Sequence, residues 1–150
     1  MVTMHRRRLP VGTSTPPIGP PAQFLMDSTP ALVRAAREWA REFVNYEAPE
    51  APHEHVDDVL LVLSELVTNA VRYGTEPGDS VRVVLDARTG ATRIEVHDPS
   101  RRHPRPLPES DERQRGRGLF ILDALAVTYG VDDRPMGKAV WAELRWTANA

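Results

Sequence analysis

Cysteine is absent from the 150 residues, and lysine nearly so: of 19 basic side chains, only Lys138 is a lysine. Without thiols there is no disulfide scaffold, thiolate zinc site, iron–sulfur cluster or cysteine nucleophile. A lone lysine excludes a P-loop, because Gly137-Lys138-Ala139 lacks both the hydroxyl and the upstream glycine that loop requires. Net charge is small as well. Nineteen basic residues against 21 acidic ones leave -2, which argues against direct nucleic-acid binding through bulk positive charge. Long hydrophobic runs are also missing. The longest core-like stretch, Val59-Leu60-Leu61-Val62-Leu63, is far short of the roughly 20 residues that span a bilayer, so no membrane role is expected. Nothing resembles the apolar segment of a secretory signal, and a cytoplasmic location is the expectation.

What the chain does have is proline, 14 residues gathered mainly in Pro10–Pro30 and Pro99–Pro108. The first cluster adjoins Arg6-Arg7-Arg8 and reads as an extended, disordered leader over residues 1–22. One domain of ordinary size is then expected over 23–147, with a lid at about 99–117 and a short tail at 148–150.

Periodicity supplies the elements. Gln23–Met26 suits a short edge strand. Thr29-Pro30 resembles an N-cap with proline at the first helical position, and Leu32, Ala36, Trp39 and Phe43 recur at helical spacing to about Asn45. A stronger helix is expected over Glu54–Tyr73, closed by Gly74 as C-cap, with Val56, Val59, Leu60, Leu63, Leu66, Val67 and Ala70 as its core stripe. Ser80–Ala87 and Thr92–His97 alternate about Arg88-Thr89-Gly90 as a β-hairpin. A third helix is expected over Leu119–Val127. Strands Thr128–Val131 and Ala139–Trp146 follow, joined by a Met136-Gly137-Lys138 turn. The order predicts an α+β fold, a two-layer sandwich of a mostly antiparallel sheet with helices on one face.

Three segments carry candidate chemistry. Glu65 and Asn69 project from one face of the second helix, at the margin of its core stripe. They suit either a solvated face or a polar pocket, where a carboxylate acts as base and an amide oxygen meets Mg²⁺. Asp98 ends a strand, as a turn former or as an acceptor for an exocyclic amine. Gly116-Arg117-Gly118 precedes a helix, as a tight hinge or as a place where an anion meets backbone N–H groups. The arginine-rich stretch before it would either neutralise phosphates or keep a loop solvated. His53-Glu54-His55 with Asp57-Asp58 offers metal ligands at a helix start, where acids also favour the helix dipole. His97 reads as strand alternation, and Trp39, Trp141 and Trp146 as packing.

In order and spacing these segments resemble the asparagine box and the two glycine boxes of the GHKL, or Bergerat, ATP-binding fold shared by gyrase and histidine kinases. Within it, Leu63-Ser64-Glu65-Leu66-Val67-Thr68-Asn69-Ala70-Val71-Arg72-Tyr73-Gly74 and Gly116-Arg117-Gly118-Leu119 are most similar to small anti-sigma-factor serine kinases of the RsbW and SpoIIAB type. The resemblance covers roughly Ala31 to Trp146. It implies ATP and Mg²⁺ as cofactors, with Asn69 as metal ligand and Glu65 as the catalytic base. Asp98 would accept the adenine amine, and Gly116, Gly118 and Leu119 would hold the nucleotide phosphates. It also implies a sigma factor and an anti-sigma-factor antagonist as protein partners, with a homodimer plausible. Two positions depart from the pattern. Ser100 stands where the family's Asp-x-Gly-x-Gly has glycine, with none in Asp98-Pro99-Ser100-Arg101-Arg102, and Ala139 stands where relatives often carry a threonine hydroxyl in the adenine network. The alternative is a sequestering module without chemistry, with or without bound nucleotide.

Overall fold

The computed structural model describes residues 21–100 and 120–148. Residues 1–20, 101–119 and 149–150, which hold most of the expected leader and lid, lie outside that description, while Ala22 of the expected leader already belongs to β1 (Ala22–Asp27). Five strands and two long helices follow the chain as β1 (Ala22–Asp27), α1 (Ala31–Glu47), α2 (His53–Tyr73), β2 (Ser80–Arg88), β3 (Ala91–Asp98), β4 (Thr128–Arg134) and β5 (Gly137–Arg145). Residues 120–125 are helical, inside the span expected for the third helix. The strands form one sheet in the order β1-β2-β3-β5-β4, and every neighbouring pair is antiparallel. This is the expected α+β architecture.

Amphipathicity explains why both helices lie on one face. Leu32, Ala36, Ala40 and Val44 of α1 are fully buried, and all seven residues of the expected α2 stripe are buried with them. They close on Val81, Val83 and Leu85 of β2, Ile94 and Val96 of β3, and Ala142 and Leu144 of β5. Alternation along each strand sends these to one side of the sheet. Phe24 of β1 stacks on Trp39 at 5.4 Å, and Trp39 on Phe43 at 5.8 Å, sealing the α1 edge. Trp39 thus packs, as its spacing suggested.

Local differences from the sequence expectations have simple causes. Pro30 sits at helical dihedrals just before Ala31, and no side chain caps α1, so Thr29 contributes only its carbonyl, to Leu32 N. The last hairpin turns at Pro135-Met136 rather than at Met136-Gly137-Lys138. Backbone pairing extends through Asp132, Asp133 and Arg134 onto Ala139, Lys138 and Gly137, so polar residues lengthen β4 and bring Gly137 into β5.

His55 is turned inward instead of outward with its acidic neighbours. It is buried, its Nε2 lies 2.8 Å from Thr92 Oγ1 on β3, and its ring tilts against Trp146. Burial lowers its pKa below the usual 6.5. The unfolded chain then binds the proton more readily, so stability is lost as pH falls below about 6.5 toward the depressed folded value. The Tm is expected to fall from about pH 7.5 to about pH 5.5. His55→Gln should flatten that slope; an equal slope in the variant would refute the assignment.

Candidate functional site

The site is built where β3 and β5 end against the last turn of α2. Asp98 is the last residue of β3 on its helix-facing side, continuing the buried positions Thr92, Ile94 and Val96. Its cross-strand partner on β5 is Lys138. Both side chains are buried, 2% and 8% exposed, and Lys138 Nζ donates to Asp98 Oδ1 at 2.9 Å. The Ser100 amide donates to the same oxygen at 2.8 Å, and Ser100 O accepts from Nζ at 3.5 Å. Burial raises the Asp98 pKa; the Lys138 hydrogen bond and charge, the Ser100 amide and the nearby His97 oppose that rise without cancelling it.

Two glycines let this carboxylate sit so deep. A Cβ on Gly74 would lie 2.4 Å from Asp98 Oδ2, and one on Gly137 would lie 2.0 Å from the Asp98 carbonyl oxygen. Gly74 does end α2, but with φ -107 it uses no left-handed conformation. What it supplies there is the room Asp98 occupies.

Glu65 and Asn69 are partly exposed on α2 beside buried Leu66 and Ala70, as expected for the margin of the stripe. At 1.5 Å rise per residue, Asn69 lies about 7.5 Å and Glu65 about 13.5 Å along the helix from Gly74. Asn69 and Glu65 therefore lie about 1.4 and 2.5 helical turns back along α2 from the point where Gly74 meets Asp98 of β3. Next to Glu65, Ser64 donates to Leu60 O at 2.6 Å and accepts from Arg37 Nη1 at 3.0 Å, which ties α1 to this stretch of α2.

Gly116, Gly118, Leu119 and residues 101–117 of the expected lid lie outside the described residues. Ala139 faces the other side of the sheet, opposite His97, because β5 alternates from Lys138. The side chain on Asp98's face is therefore Lys138, and the missing hydroxyl at 139 does not bear on Asp98. On that outer face His97 contacts Glu95 at 3.3 Å and Arg82 at 3.2 Å, and Arg93 lies 4.3 Å over the Trp141 ring. Among the described residues no group of three His, Asp or Glu is placed to hold a metal ion, and His55 is drawn away from His53 into the core.

Sequence reasoning missed Lys138 and the contacts of Gly74 and Gly137. A signal for Lys138 was present: in a chain that otherwise uses arginine for its basic residues, it opens the last strand.

Comparison with known proteins agrees with this architecture. The family model of the histidine kinase-like ATPase domain matches residues 26–144. None of the curated proteins matches. The solved structures that match include a crystal structure of the RsbU and RsbW domains of a Mycobacterium tuberculosis protein, at 22% identity and a TM-score of 0.59. The match covers 85% of this chain and 32% of that one, so the present chain spans about a third of its length, and the likeness is one of fold.

Proposed function

The chain belongs to the histidine kinase-like ATPase domain family, and from that premise we propose that it binds ATP and works as a regulatory protein serine/threonine kinase of the anti-sigma-factor type. The observation that carries this reading is Asp98, a buried ionic acceptor fixed at the sheet end against α2. The residues present suit an adenine nucleotide. Asp98 would accept the amine of the base, and Gly74 and Gly137 leave the room that its carboxylate and backbone occupy.

Asp98 would hold the base. Farther along α2 the Asn69 amide oxygen would ligate Mg²⁺, and Glu65 would take the proton from an acceptor hydroxyl. Backbone amides at Gly116, Gly118 and Leu119 would hold the phosphates. Bound Mg-ATP supplies the phosphoryl group and much of the charge neutralisation that its transfer needs. The acceptor would be a serine on a small antagonist protein, with a sigma factor as the sequestered partner. The RsbW domain in the structurally similar protein lends this finer assignment its support.

Calorimetry with Mg-ATP tests binding, and phosphate transfer to a co-purified protein tests catalysis. Glu65→Ala is expected to keep its ATP affinity within about threefold while transfer falls at least about 100-fold. Full transfer by that variant with ATP bound would remove Glu65 as base. A second reading, a sequestering module without chemistry, is favoured by Ser100 standing where the family pattern after Asp98 has glycine. It predicts no phosphate transfer even by the unmodified protein.

A further inference from the structure

We infer that Lys138 is a specificity-positioning residue of the nucleotide site: by holding Asp98 Oδ1 it leaves Oδ2 as a fixed, acceptor-only group that selects a 6-amino purine over a 6-oxo purine. The inference rests on the ATP-binding reading above.

The geometry divides the two carboxylate oxygens. Lys138 Nζ and the Ser100 amide both bond to Oδ1, at 2.9 and 2.8 Å. Both of these bonds fall on Oδ1, while Oδ2 faces Gly74, where a Cβ would lie 2.4 Å away. A buried carboxylate with one oxygen saturated offers an incoming ligand the other one alone.

Charge decides what that oxygen recognises. An ionised carboxylate only accepts hydrogen bonds, so it takes an exocyclic N–H and repels a carbonyl oxygen. A protonated one also donates, and then tolerates a 6-oxo base. Burial favours the protonated form of Asp98, and the Lys138 ammonium at contact distance opposes it. Lysine is needed here as a charge without bulk, since its compact head fits a pair in which both side chains are buried. The cross-strand register fixes the contact, because Asp98 and Lys138 are direct partners on β3 and β5.

As the only lysine, Lys138 gives a single side-chain signal in protein labelled with ¹⁵N-lysine. ATP is expected to shift that resonance, and tripolyphosphate, which lacks a base, to leave it in place. Titration with ATP and with ITP, which carries a 6-oxo purine, then reads selectivity. The unmodified protein should prefer ATP by at least about 100-fold. In Lys138→Met the preference should collapse to within about tenfold. A purely structural lysine would weaken both nucleotides in parallel and leave the ratio intact, and that result would overturn the inference. So would an unmoved Lys138 resonance in protein that binds ATP, a measurement that does not depend on Lys138→Met folding. Failure of the unmodified protein to bind ATP would instead remove the ATP-binding reading itself.

Discussion

Gly137→Ala is expected to destabilise the protein by about 4 kcal/mol or more, at the extreme end of single substitutions. The new Cβ would lie 2.0 Å from the Asp98 carbonyl oxygen, 2.7 Å from Pro99 Cα and 2.9 Å from Asp98 C. All three are backbone atoms of the neighbouring strand end, so no rotamer change relieves the clash. A φ of 153° adds strain for any residue with a side chain. The Tm should drop by roughly 10–20 °C. Whatever fraction stays folded should lose ATP affinity, because the displaced backbone is that of Asp98. Gly78→Ala is the control. Gly78 also has positive φ, at 94°, but nothing lies within 4 Å of its Cβ position, so only about 1–2 kcal/mol of conformational strain is expected. Equal losses at the two positions, measured by thermal and denaturant melts, would show that backbone conformation rather than close approach limits Gly137.

That contrast also marks what the sequence made legible. Periodicity located both long helices and the first hairpin, because burial on one face imposes a repeat of about 3.6 or of 2 on the apolar residues. The stripe from Val56 to Ala70 is buried throughout for this reason. The end of β4 was not legible, since Asp132, Asp133 and Arg134 have no apolar alternation and are strand only through backbone pairing with β5.

Site chemistry divides the same way. Glu65 and Asn69 were readable as neighbours because a helix fixes its own internal geometry. The pairing of Asp98 with Lys138 crosses 40 positions and depends on β5 lying between β3 and β4 in one register. A one-residue slip would put Ala139 opposite Asp98 and turn Lys138 to the outer face. Gly74 illustrates the remaining limit. A glycine after a helix reads as a cap from sequence, yet its use here is set by a carboxylate 24 positions on.

Removing the Asp98 charge should separate its ion pair at the sheet end from its proposed hold on the base. Asp98→Ala leaves the Lys138 ammonium buried without its partner, and loss of one member of a buried pair costs about 3–5 kcal/mol. Asp98→Asn keeps the volume and offers Lys138 a neutral oxygen, so it should fold more stably than the alanine variant. Both should lose roughly 100-fold in ATP affinity, the scale of one charge-assisted hydrogen bond worth about 3 kcal/mol. Pairing Asp98→Ala with Lys138→Met removes both buried charges, and its destabilisation should be smaller than the sum of the single losses by about 1–3 kcal/mol. ATP affinity should not return with that stability, because the acceptor is still gone. Recovery of both together would mean that the pair supports nucleotide binding only by keeping the strand end folded. Undiminished ATP affinity in folded Asp98→Asn would go further and remove Asp98 from the base site, while the ion pair would keep its place in the fold.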